Sequence, residues 1–263
     1  MYLTPDETPK ITVDEVQGGH KITISDAEDS QSFDVLDGKT PVKGVDYWTE
    51  QEKNELIAET RREYYYNSVA AALTDINNNT WANGLTNAVG ASVMTCIDEL
   101  GQVTLALLQD VTETSFMYVK KNTHLALGEY KINITNVDTC LLFYPNTNCK
   151  ITATTGGIIK NTTGAPQGGA SFIQTYGELH INGGVYSLTA NPSTDAIIFA
   201  IMSTSASKLL ELNKCKITVT NPRITDAKDT RVIEAQGQEL QINNSRLSVA
   251  SYGPAWAVVQ WGN

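Results

Sequence analysis

The residues best typed for chemistry are Asp226 and Asp229, three apart in Asn221-Pro-Arg-Ile-Thr-Asp-Ala-Lys-Asp-Thr-Arg231. Two carboxylates about 5–10 Å apart on one face are what glycoside hydrolysis requires, one as acid and one as base or nucleophile. Arg223 and Arg231 flank the pair, and the stretch has the composition of a solvated corner between strands, which accounts for all four residues without an active site. Glu178 and Glu239 occupy equivalent positions in a repeated phrase, but a third copy of the phrase lies between them. The histidines His20, His124 and His180 are far apart in sequence, and the last two alternate with apolar positions so as to face solvent. Cys96, Cys140, Cys149 and Cys215 form no C-x-x-C pair, and Cys149 and Cys215, beside or inside the repeated phrases, read as reduced, buried small hydrophobes rather than a disulfide. No residue set implies a metal or another cofactor. Turnover is therefore not expected, and Asp226 and Asp229 stand as the only catalytic candidates.

Aromatic side chains offer more. Tyr64-Tyr-Tyr66, Tyr144, Tyr176, Tyr186, Tyr252, Trp256 and Trp261 exceed what a core of this size needs. Tyr and Trp combine a broad apolar face with a polar tip, which suits both sugar rings and subunit interfaces. Tyr176, Tyr186, Tyr252 and Trp256 are the binding candidates.

A repeat has to position these residues. Glu178-Leu-His-Ile-Asn-Gly-Gly-Val-Tyr-Ser-Leu188 returns as Leu210-Glu-Leu-Asn-Lys-Cys-Lys-Ile-Thr-Val219 and Leu240-Gln-Ile-Asn-Asn-Ser-Arg-Leu-Ser-Val249, and more loosely from Leu125 and Ile151. Starts at 125, 151, 179, 210 and 240 give steps of 26, 28, 31 and 30 residues, a period that signals a repeat architecture. Each phrase is apolar-x-apolar, a polar or glycine corner, then a second alternating run. A third apolar run follows at Leu141, Phe172, Ile197, Val232 and Val258. Three short strands per repeat describe one coil of a parallel β-helix whose coils stack to share a core. Leu125, Leu127, Ile151, Leu179, Ile181, Leu210, Leu212, Leu240 and Ile242 should line that core. The expected fold is all-β: a right-handed parallel β-helix of about five coils, preceded by a small β-meander and a linking α-helix.

The expected divisions are 1–46, a β-rich adaptor; 47–80, the linking helix; and 81–263, the β-helix with its own capping helix. Residues 1–80 carry 16 acidic against 7 basic side chains, and the remainder 13 against 12. That step marks a boundary, and the absence of a basic stripe excludes nucleic acid as a partner. Thr49-Glu-Gln-Glu52 is a capping box, opening a helix expected to run to Leu73 or Ile76. Ala91–Leu100 reads as a short amphipathic helix that closes the first coil. The start of the chain has no basic or apolar leader region, and no apolar run reaches spanning length, so neither a signal peptide nor membrane insertion is expected. Trp256–Asn263 reads as a last inward strand. Trp256 or Trp261 should close it, or another subunit should cover it.

Gly18-Gly-His-Lys-Ile-Thr-Ile-Ser-Asp26, Ser32-Phe-Asp-Val-Leu-Asp-Gly-Lys39 and Pro41-Val-Lys-Gly-Val-Asp-Tyr-Trp-Thr49 resemble segments of tail-associated proteins (tail fibres and tailspikes) of bacteriophages and prophages of gut Firmicutes. Gly101–Thr112 followed by Asn122–Ile132 is similar to the opening coil of pectin-lyase-like β-helices. The first resemblance implies a virion component that is made in the host cytoplasm and joined to other tail proteins through its N-terminal segment. It also implies a homo-oligomer, a trimer by analogy, and a β-helix that meets a host-surface glycan or protein. The alternatives are a polysaccharide depolymerase on the same scaffold, hydrolase or lyase, and a bacterial surface adhesin. Asn136-Val-Asp138 matches one element of the galacturonases, without the Asp-Asp or His-Gly elements that accompany it there.

Overall fold

A computed structural model describes the backbone of strands 10–16, 19–25 and 30–36 and most of residues 62–261; short stretches at 82–83, 86–87, 98–101, 137, 139, 163–169, 194, 205–208, 225–226 and 238 lie outside the described residues. The chain divides into two compact units, Met1–Thr60 and Arg61–Asn263.

In the first unit, β1 (Lys10–Val16), β2 (Gly19–Ser25) and β3 (Ser30–Leu36) form an antiparallel meander. This is the small β-meander expected there.

The second unit is a parallel β-helix. Each coil contributes one strand to each of three sheets, and the ladders are six coils deep among the described residues. The coils are β6 (Val103–Leu107), β7 (Val111–Glu113), β8 (Met117–Val119); β9 (Thr123–Gly128), β10 (Lys131–Ile134), β11 (Leu141–Phe143); and β12 (Asn148–Ala153), β13 (Gly157–Asn161), β14 (Ile173–Thr175). Then follow β15 (Glu178–Asn182), β16 (Val185–Thr189), β17 (Ile198–Ser203); β18 (Leu209–Asn213), β19 (Lys216–Asn221), β20 (Thr230–Gln236); and β21 (Glu239–Asn243), β22 (Arg246–Ser251), β23 (Ala255–Trp261). The first strand of each coil builds the first sheet, the second the second, and the third the third.

Period-two alternation puts apolar columns on the inner side of each sheet. Leu105, Leu125, Ile151, Ile181, Leu212 and Ile242 stack in register in the first sheet. Beside them Cys149, Leu179, Leu210 and Leu240 form a second column. The structure thus pairs Ile151 with Ile181, two residues away from the register that aligned Ile151 with Leu179. The extra residues of the third coil lie in its Thr-Thr-Gly-Gly corner, next to a shift of register after Thr152. All expected core residues from Leu125 to Leu212 are buried, whereas Ile242 is 37% exposed because nothing described stacks on the last coil. Cys149 and Cys215 are free and buried, as expected; Cys140 is likewise free and buried, and Cys96 is free and half-buried.

At the other end the expected helices are corrected. Arg62–Tyr66 is a strand, β4, and Val93–Ile97 is a strand, β5, which pair antiparallel and extend the first sheet beyond β6. The consecutive tyrosines of β4 and the Val93/Thr95/Ile97 alternation of β5 favour a half-buried pleated surface over a helix. Thr49–Arg61, where the expected helix begins, lies outside the described residues. The helix among the described residues is α1 (Val69–Asn78), capped by the Ser68 hydroxyl accepting from the Ala71 amide. It belongs to the β-helix unit and buries Val69, Ala72, Leu73 and Ile76. It also satisfies the first coil's free edges. Asn77 donates to the Tyr118 carbonyl and accepts from the Lys120 amide, and the buried Glu113 carboxylate accepts from the Val69 amide at 2.5 Å. Burial raises the Glu113 pKa, while its bonds to the Val69 and Ala70 amides work against the rise.

Candidate functional site

The outward faces of the three sheets differ in chemistry. On the first sheet His124, Lys150, His180, Glu211 and Gln241 form one outward column. On the second sheet the column Thr112, Asn133, Ile159, Ser187, Thr218 and Ser248 is mostly small and polar. On the third sheet the column is Tyr118, Leu142, Gln174, Met202, Glu234 and Val259, and the large exposed aromatics gather around it.

At its first end Phe116 and Tyr118 stack with centroids 5.6 Å apart, and Tyr118 meets Tyr144 edge-on at 6.1 Å. The Lys120 ammonium lies 5.1 Å from the centre of the Tyr144 ring. Tyr176 follows on the next coil, its amide bonded to the Phe143 carbonyl as the Tyr144 amide is to that of Val119. At the other end Trp256 and Trp261 are 51% and 53% exposed. Val232 and Ile233 both enter the core, which shifts the phase of β20 so that Arg231 and Glu234 face outward. Trp256 pairs with Arg231 and Trp261 with Gln236, and the Arg231 guanidinium sits 5.8 Å from the Trp261 ring centre. That guanidinium is fastened to Asp229 at 2.6 Å and Glu234 at 2.7 Å. Burial opposes its charge, but the bonds to Asp229 and Glu234 outweigh this and raise its pKa.

Of the four binding candidates, Trp256 lies on this face, Tyr176 at its edge, and Tyr252, 76% exposed, in the corner leading into β23. Tyr186 does not belong. It points into the core, fully buried beside Phe172, because alternation from Leu188 puts it on the inner face; the stacking of Leu188 on Val219 carries that signal in the sequence. Neither Trp256 nor Trp261 closes the last coil, since both point outward. Asp229 is occupied by Arg231, and Asp226 lies outside the described residues.

The structure brings together a cluster that the sequence reading missed. On the first sheet, His180 Nδ1 is 2.7 Å from Glu211 and Nε2 2.9 Å from Glu178. Aligning the phrases at Leu179 and Leu210 sets Glu211 opposite His180, so the signal was present. Burial pushes the His180 pKa down, but the hydrogen bonds to Glu211 and Glu178 outweigh it and the pKa is raised. His124, hydrogen-bonded to the Thr152 hydroxyl, has its pKa lowered by burial and by Lys150.

Because the folded His180 pKa exceeds its value of about 6.5 in an open chain, its stabilisation is complete below that value and is lost as pH rises through the folded pKa. Melting temperature measured across that range should fall with pH in the wild type and lose this component in His180→Gln. Near pH 6 the substitution should cost about 1–2 kcal/mol.

A second missed group is Lys160, aligned in the inner column between Ile134 and Leu188. Its ammonium donates to the Ser171 carbonyl at 2.7 Å, and burial lowers its pKa to about 8.

Among the described residues no group of three or more His, Cys, Asp or Glu is placed to hold a metal ion, and no helix is long and apolar enough to cross a membrane. No family model matches the chain, and no curated protein or solved structure matches it.

Proposed function

We propose that the protein is a structural or receptor-binding component of a phage or prophage tail, in which the β-helix meets the host surface and the N-terminal unit joins other tail proteins. The observation that carries the binding role is the gathering of the large exposed aromatics Phe116, Tyr118, Trp256 and Trp261 on one outward face of the β-helix, the third sheet. The tail setting rests on the wording of residues 18–49. The virion form would be a homo-oligomer, a trimer by analogy, with the part-covered last coil (Leu240, Ile242, Leu247, Val249 and Val258) as the apolar surface available to a neighbour.

Glu178 and Glu211 favour the depolymerase as second reading. They hold opposite nitrogens of one imidazole, which sets two carboxylates within the span that glycoside hydrolysis uses. Both, however, are hydrogen-bonded to the ring rather than open to a substrate.

Binding without turnover is the expected outcome. The protein should sediment with intact cells of a host strain and release neither reducing ends nor unsaturated products from their polysaccharides. Release of either that disappears in Glu178→Gln, Glu211→Gln or Asp229→Asn would replace this proposal with the depolymerase.

A further inference from the structure

We infer that the outward face of the third sheet docks an uncharged polysaccharide strand lying across the coils, gripped at two aromatic stations. This rests on the receptor-binding proposal and adds the ligand class, the face and the direction.

The stations are Phe116, Tyr118 and Tyr144 on the first two coils and Trp256 with Trp261 on the last. Four to five coil spacings separate them, roughly 20–25 Å at strand spacing, too far for one sugar unit to touch both. The outward column between them is Leu142, Gln174, Met202 and Glu234, apolar positions alternating with hydrogen-bonding ones. An extended chain of rings, each with an apolar face and a hydroxylated rim, matches that sequence of surfaces.

Charge selects the class of chain. Among the described residues of this face the cations are Lys120, which is exposed, and Arg231, which is only 8% exposed; the carboxylates are Asp229, half-buried against Arg231, and Glu234, again only 8% exposed. Arg231 is held by both carboxylates, and Lys120 rests against the Tyr118 and Tyr144 rings. A balanced surface attracts neither an acidic nor a basic polymer.

Area argues against a second copy as occupant. Six strands of three to seven residues make a face of roughly 25 by 15 Å in plan. That is about half of the 800 Å² per partner of a stable protein interface, and its aromatic area is split between the two ends.

The test uses the full chain and wall polysaccharide from gut Firmicutes, separated by ion exchange into neutral and acidic fractions. Tryptophan fluorescence and co-sedimentation are read at low and at 1 M salt, and melting temperature confirms folding of every variant. The neutral fraction should bind and quench, with affinity unchanged by salt. Trp256→Ala, Trp261→Ala and Tyr118→Ala should each weaken it at least tenfold. Binding to the acidic fraction alone, lost in salt, overturns the ligand class. Binding unaffected by all three substitutions overturns the face while leaving the receptor role in place, and no binding by any fraction or by whole cells removes both. Light scattering that shows a dimer dissolved by Trp256→Ala and Trp261→Ala would assign the face to a second copy instead.

Discussion

Ile181→Asp should unfold the β-helix or leave it barely stable. Ile181 is fully buried, stacked between Ile151 on one side and Leu212 on the other. A carboxylate there is cut off from solvent and has no cation in its column. Burying it unpaired costs several kcal/mol, and the missing side-chain volume adds to this. An expected loss of about 4 kcal/mol corresponds to a melting temperature lowered by roughly 10 °C for a domain of this size. Ile181→Val, which keeps shape and polarity, should cost only about 1 kcal/mol. Calorimetry or circular dichroism decides: a variant that melts with the parent would contradict the register of the first sheet.

Gly157→Ala should cost nearly as much for a different reason. A methyl placed on Gly157 would lie 1.9 Å from the Val185 carbonyl oxygen and 2.7 Å from its carbon. Both are backbone atoms of the next coil, so no side chain can swing aside. Val185 also donates its amide to the Gly156 carbonyl, and separating the coils breaks that bond as well. The loss should be about 3 kcal/mol, read as a fall in melting temperature. Gly84→Ala is the control, because its nearest neighbour would lie at an ordinary 3.5 Å. Equal melting of the two variants would contradict the close approach of the third and fourth coils.

These two positions show what was legible. Ile181 and its stack could be read because alternation at period two and a step near thirty residues act together, and each repeat exposes the same columns. The glycines at 156–157 could be read as a corner but not as a contact between coils, since their neighbour is Tyr130 on one coil and Val185 on another. The third coil's longer corner hid its register by two residues. At the start of the β-helix, Arg62–Tyr66 and Val93–Ile97 have helical spacing and strand-forming residues at once. Pairing of β4 with β5 and of β5 with β6, which sequence does not display, settled them as strands.

The site was legible in part. Of the aromatics named from sequence, Trp256 emerges on the third-sheet face and Tyr176 at its edge. The side on which each aromatic emerges depends on local phase. Leu188 turns Tyr186 inward, and the double inward step at Val232 and Ile233 turns Arg231 outward beside Trp261. Glu211 was overlooked because the comparison of acidic residues stayed within one phrase position, whereas His180 is clamped between Glu178 on its own coil and Glu211 on the next.

The most direct measurement is amide hydrogen exchange on the full chain, alone and bound to host-surface polysaccharide. Protection should appear at 116–120, 142–144, 174–176, 199–202 and 255–261, the strands and edges of the third sheet. The strands at 148–152, 178–182 and 209–213 on the first sheet should exchange as in the free protein. Protection confined to those first-sheet strands would contradict the assignment of ligand binding to the aromatic face.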